Sequence, residues 1–495
     1  MSIFSTVQKA KVKKTPFNLS HEKKLTMKIG KLVPILCEEV VPGDKFKINT
    51  ETMIRLAPLV APAMTRMNAY VHYFFVPNRI TWEHWEDFIT GNVATTVPQL
   101  SVSMAEGKES TIYDYMGIPT NLPLPLSNIN ALPFRAYKQI YNDYYADENL
   151  DFLFDMEADD YQELQTRAWA KDYFTSSLPW AQKGGEVSLP IKVDYTPDFK
   201  TPSTFENYGV GSVPNVKLAT DASGNIIPEA QPGNNYYIDN INSQELEGGF
   251  NINDFRLAHR LQRWLERNAR AGSRYVEHLK AHWGVSPKDS RLQRAEYLGG
   301  GKSPVMISEV LNTMGRTEED PEALAQGNMS GHGINVGKTN GCTKYVEEHG
   351  YIMAILSVMP EACYFQGIHK KFSRVDNLDY YFPEFARLGE QEVLNKELYA
   401  QGNINDDETF GYQSRFAEYK YAQSTVHGNF RGDLMYWHQA RNFSAPPQLN
   451  RDFIHCEDDN RIFAYKDSES DNLWVNIYHN ITAIRPMPYY ADPSL

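Results

Sequence analysis

The run NAYVHYFFV at residues 68–76 is dense in β-branched and aromatic strand formers and stops at Pro77. A second such run, YIMAILSV at residues 351–358, stops just before Pro360. Working outward, period-two alternation recurs at both ends of the chain. Leu25, Met27 and Ile29 alternate with Lys24, Thr26 and Lys28, which gives a strand with one apolar and one cationic face. Phe46 and Ile48 alternate with Lys45, Lys47 and Asn49 directly after the turn-forming Pro42-Gly43-Asp44. Near the C-terminus Leu473, Val475 and Ile477, then Ile481 and Ala483, continue the pattern up to Arg485-Pro486. Strands at both ends with long irregular stretches between them fit an antiparallel sandwich with expanded loops better than repeating βαβ units.

Helical signals are fewer. Asp254 is placed to cap a helix in which Phe255, Ala258, Leu261 and Leu265 share one side and Arg256, Arg260, Arg263 and Arg267 the other, ending near Ala271-Gly272. Residues 275–283 and 135–142 also read as helical. The stretch 196–249 holds Gly209, Gly211, Gly224, Gly233 and the pair Asn234-Asn235 with no sustained period, and reads as a long surface insertion. Residues 317–341 read as a second, polar loop.

At 495 residues the chain is long for a single core, although loop-expanded sandwiches reach such lengths. The hydrophobic fraction of 42% suffices for a packed core and excludes a disordered chain. Thirty tyrosines against eight tryptophans suit wet protein interfaces, and equally a sugar-binding surface. The net charge of −13 does not suggest bulk nucleic-acid binding. The charge is unevenly placed, however. Lys9, Lys11, Lys13 and Lys14 precede every acidic residue, and Lys23, Lys24, Lys28 and Lys31 follow with only Glu22 among them. A basic arm on an acidic body is the asymmetry expected where one face meets a polyanion, while the plainer reading is a solvated terminus. Cys37, Cys342, Cys363 and Cys456 show no C-x-x-C spacing, so neither a zinc site nor a disulfide framework is expected, and a reducing compartment fits. No apolar run approaches the roughly 18 residues that span a bilayer, and no membrane partner is expected.

The catalytic motifs fail on inspection. Gly299-Gly300-Gly301-Lys302-Ser303 resembles the end of a phosphate loop, but Glu296 stands where that pattern needs glycine and Pro304 follows, so the stretch reads as a turn. His278 and His282 lie one helical turn apart, yet Leu279 replaces the glutamate of a zinc-protease helix, and no metal is expected. Carboxylate pairs such as Asp143/Asp147 or Asp159/Asp160 carry no weight without geometry among 62 acidic residues. No G-x-S-x-G elbow exists. No catalytic residue and no cofactor are expected. The arginine side of the 254–270 helix could meet nucleic acid or another subunit, but a solvated face with Glu266 among the arginines is the commoner arrangement.

Several words of the sequence, in order, resemble the major capsid protein of microviruses, the small tailless phages with circular single-stranded DNA, of the gokushovirus type. They are FNLSH (17–21), GKLVP (30–34), VPGD (41–44), LAPLVAP (56–62), HYFFVPNR (72–79), WEDFI (85–89), LPFRAY (132–137), DYFTSSLPW (172–180), RLQR (291–294), EYLGG (296–300), FGYQ (410–413) and RPMP (485–488). The likeness covers nearly the full length and fades in 196–249 and 317–341. It implies an all-β fold, an eight-stranded antiparallel jelly roll with large, partly helical loop insertions. Residues 1–20 would be a basic arm facing the capsid interior and 21–495 a single jelly-roll domain. The resemblance further implies pentamers and a sixty-copy T=1 shell enclosing the genome, with 196–249 projecting at the threefold axes to meet a host surface receptor. Such a virion would assemble in the bacterial cytoplasm.

Lys9, Lys11, Lys13 and Lys14 are the expected DNA-contacting residues. Sixty arms would carry only about 240 positive charges, whereas coding this chain alone takes about 1,485 nucleotides, each with a phosphate. A separate small basic DNA-packaging protein or polyamines are therefore expected. The alternative from a different class is a jelly-roll carbohydrate-binding or glycoside-hydrolysing protein, which the tyrosine and acid content would also suit.

Overall fold

Each alternating run becomes a strand. In the computed structural model, which describes residues 12–91, 95–103, 108–156, 163–185, 187, 218–220, 226–228, 252–271, 274–311, 327–457, 459–465, 467 and 470–490, the main sheet contains β1 (Thr15–Asn18), β2 (His21–Met27), β3 (Val33–Val40), β4 (Lys45–Leu56) and β5 (Met67–Pro77). It continues with β6 (Glu296–Leu311), β7 (Met329–Lys338), β8 (Cys342–Tyr345), β9 (Gly350–Pro360) and β10 (Leu473–Arg485). The hydrogen-bonded order is β1–β10–β4–β7–β6–β5–β9–β3, with β2 also on β10 and β8 also on β4, and every pair is antiparallel. Strand β6 belongs to both halves: Met306–Leu311 pair with β7, and Glu296–Val305 pair with β5. The eight strands of this path thereby fold over on themselves as a jelly roll, with helices confined to the loops.

Chain contacts divide the protein into two units, residues 1–183 with 266–495, and residues 184–265. In the larger unit Met27, Phe46, Ile48, Ile54, Ile477 and Ile481 from one half of the sheet pack with Val33, Tyr73, Phe75, Ile352 and Leu356 from the other. The opposite faces of β5 and β9 are buried as well. Phe74, Val76, Tyr351, Met353 and Ile355 form a second core with Leu132, Phe134, Tyr137 and Ile140 of helix α1 (Leu132–Ile140). Each fully buried side chain of this size contributes about 1.5–3 kcal/mol. Strand β9 is buried along its whole length, which is why its sequence is a continuous apolar run instead of an alternation.

In the smaller unit, of the expected insertion 196–249 only Leu218–Thr220 and Ile226–Pro228 are described, and they pair as a short antiparallel hairpin. The helix expected from Asp254 runs from Ile252 to Ala271 (α2), so Asp254 lies in its first turn and does not cap it. Helix α3 occupies Tyr275–Trp283.

Two expectations are corrected here. The glycine run 299–301 is not a turn but the middle of β6, beside a bulge between Tyr297 and Gly299. Its glycines answer to close packing: a Cβ on Gly300 would lie 2.8 Å from the His72 ring of β5. The polar loop placed at 317–341 contains β7. Its inward positions are Gly331, Gly333 and Asn335, so the strand has no apolar alternation to read. Asn335 nonetheless sits in the core, donating to Ser303 Oγ at 2.9 Å and to the Pro304 carbonyl at 2.7 Å.

Candidate functional site

The basic arm meets the body of the protein at one corner. Lys9 and Lys11 lie outside the described residues. Lys13 is exposed, and Lys14 donates to the Gly43 carbonyl at 2.8 Å with its ammonium 5.0 Å from the Tyr345 ring centre. From Thr15 onward the chain is strand β1, paired with the end of β10 through Thr15–Arg485 and Phe17–Ala483. Phe17 stacks on Tyr489 with ring centres 6.0 Å apart. Beneath them Arg485 pairs with the buried Asp44 at 3.0 Å and donates to the Glu39 carbonyl at 2.8 Å, while Asp44 accepts the Val41 N–H at 3.0 Å. The Val41–Asp44 turn and both chain ends are tied into one corner, from which residues 12–14 lead.

The second group of lysines separates. Lys24 stands on the exposed face of β2 and pairs with Glu22 at 2.7 Å. Lys23 has the opposite parity and points inward, its ammonium donating to the carbonyls of Tyr115 at 2.6 Å and Pro34 at 3.1 Å. Burial lowers its pKa to about 8, against the opposing pull of Cys37 and Asp114. Lys31 donates to Thr166 Oγ1 at 3.0 Å and is likewise lowered by burial. These two act as structural donors and do not belong to a cationic surface.

The acidic and histidine pairs also have structural partners. Asp143 accepts from the Ala295 N–H and from Gln139, both at 2.9 Å, and faces Arg294, with burial raising its pKa. Asp147 pairs with Lys171 at 2.6 Å. Asp159 and Asp160 lie outside the described residues. The His278 and His282 rings are 4.4 Å apart, and His282 bonds Asn268 at 2.7 Å. Among the described residues no cluster of three histidine, cysteine or acidic side chains has metal-binding geometry, and no helix is long and apolar enough to cross a membrane.

What sequence reading missed is an exposed apolar stretch between residues 368 and 388. Phe372, Leu378 and Leu388 are largely exposed and Val375 is 94% exposed. Contiguous apolar exposure of this kind marks protein–protein contact. The stretch has no period because it is built from short turns at 370–372, 377–379 and 383–385.

The family model described as capsid protein (F protein) matches residues 5–495. Capsid protein VP1 of Bdellovibrio phage phiMH2K is 36% identical over 99% of this chain and 97% of its own length. Capsid protein VP1 of Chlamydia phage 1 is 34% identical over the same shares of both chains, and that of Spiroplasma virus 4 is 29% identical, again over 99% and 97%. A jelly roll with exposed apolar loops, matched end to end by such relatives, leaves no room for a catalytic reading: the chain belongs to the capsid protein (F protein) family of the microviruses, a family of structural shell proteins and not of enzymes.

Proposed function

We propose that this capsid protein assembles through pentamers into a sixty-copy T=1 icosahedral shell around a circular single-stranded DNA genome, in the cytoplasm of a bacterial host. Lys9, Lys11, Lys13 and Lys14 turn toward the DNA, and residues 196–249 form the threefold projection that meets a host surface receptor. The observation carrying this reading is end-to-end likeness to phage capsid proteins in a jelly roll whose loops expose apolar side chains. Closed symmetric assemblies bury such side chains against neighbouring copies. The purified full chain is expected to sediment as pentamers and megadalton particles, and electron micrographs should show shells of sixty subunits. A stable monomer at high protein concentration would refute the proposal.

A further inference from the structure

We propose that the solvent-facing side of the β2–β10–β4–β7 sheet is a stacking platform for single-stranded DNA. This rests on the reading that the shell encloses such a genome.

The register of β10 decides which side chains share that face. Trp474 stands beside Thr26 of β2 and Arg55 of β4, and Tyr478 stands beside Glu22 and Glu51. Further along β10, Thr482 faces Lys47 and Ile484 faces Lys45. Strand β10 alternates without fault from Leu473 to Ala483, so Trp474 and Tyr478 both project outward while Leu473, Val475 and Ile477 fill the core. The two rings are about 13 Å apart along the strand, at roughly 3.3 Å per residue. Each is nearly half exposed. A tryptophan and a tyrosine held on a rigid sheet, with amides and cations around them, are the components of sequence-tolerant base stacking.

Charge selects the occupant. The two carboxylates among these strand positions, Glu22 and Glu51, are paired with Lys24 at 2.7 Å and Lys338 at 2.9 Å. Among the described residues Lys45, Lys47 and Arg55 have no carboxylate within ion-pair reach. Asp471 borders the face and accepts from Thr26 and Ser110, both at 2.6 Å. Even with Asp471 counted, the face is net cationic on a chain of net charge −13. Cores of protein–protein interfaces are depleted in lysine and glutamate, so this surface suits a polyanion better than a second copy. Its far end is Tyr345, opposite Lys45, whose ring lies under the Lys14 ammonium. The described end of the basic arm therefore joins the platform.

The test uses the full chain and fluorescein-labelled (dT)20, read by anisotropy across a salt series, with particle assembly followed by sedimentation. W474A and Y478A should each weaken binding by about fivefold or more, and W474F should recover most of the loss. K47Q/R55Q should flatten the salt dependence by about 0.7 logarithmic units per charge removed. Unchanged (dT)20 affinity in W474A and Y478A, with wild type binding well, overturns the platform alone. Lost assembly with unchanged affinity also overturns it, because the face is then a contact between copies. Wild-type chain that ignores (dT)20 and forms shells without DNA overturns the reading of genome enclosure as well.

Discussion

His479 has no exposed surface, and its ring is fixed by Thr50 Oγ1 at 3.0 Å and the Ile35 carbonyl at 3.2 Å. Burial, reinforced by the nearby His21 and Lys23 charges, lowers its pKa to about 4 against the pull of the Ile35 carbonyl. His72, bonded to Tyr145 at 2.8 Å, is lowered to about 4 by burial and by Arg167. Both folded values lie below the unfolded value of roughly 6.5, so between these limits the unfolded chain binds protons that the fold refuses. Stability is therefore whole above about pH 6.5 and declines until about pH 4, with each histidine costing roughly 1.4 kcal/mol for every pH step of one within that window. Below that range a second loss begins at Asp151. Burial opposes its ionisation, but hydrogen bonds from His455 at 3.0 Å and Tyr141 at 2.5 Å, with the Arg451 charge, hold its carboxyl below the usual range. Thermal melts from pH 7 to pH 4.5 should show the first decline, and H479Q should melt lower at pH 7 with a shallower pH slope. An unchanged slope would remove His479 from the account.

At the scale of elements, β7 shows why some strands were legible and others were not. Strands β4, β5, β9 and β10 announce themselves because their inward positions are apolar and their ends are marked by turns or proline. Strand β7 fills its inward positions with Gly331, Gly333 and Asn335, because neighbouring backbone comes too close for side chains. A Cβ on Gly331 would lie 2.6 Å from the Ala61 carbonyl oxygen. G331A is expected to destabilise the protein by about 1–3 kcal/mol, the ordinary cost of overpacking, visible as a lower melting temperature and less assembled particle. A wild-type melt would show that the segment near Ala61 yields freely. The candidate site was legible in part for a related reason. The alternation around Lys24, Lys45 and Lys47 exposed a polar side on each strand, but Lys23 has the other parity and is buried. That Trp474 stands between Thr26 and Arg55 depends on pairings more than 400 residues apart in sequence, which no local pattern carries.

For the whole molecule the deciding quantity is charge. In the proposed shell the four arm lysines supply about 240 positive charges, and Lys45, Lys47 and Arg55 of the sheet face add about 180. Together they neutralise a minority of the about 1,485 phosphates required to encode this chain alone. The capsid protein thus positions and contains DNA, while most neutralisation falls to another cation. DNA-filled particles should contain a small basic packaging protein or abundant polyamines besides this chain, detectable by mass spectrometry and amine analysis after banding. The quadruple variant K9Q/K11Q/K13Q/K14Q should reduce the DNA retained per particle without abolishing it. Its empty shells should sediment as wild type does, since β1 begins only at Thr15 and the corner closed by Asp44 and Arg485 is untouched. Filled particles holding DNA and no further cation would contradict the count. Loss of empty-shell assembly in the variant would instead make the arm a contact between subunits.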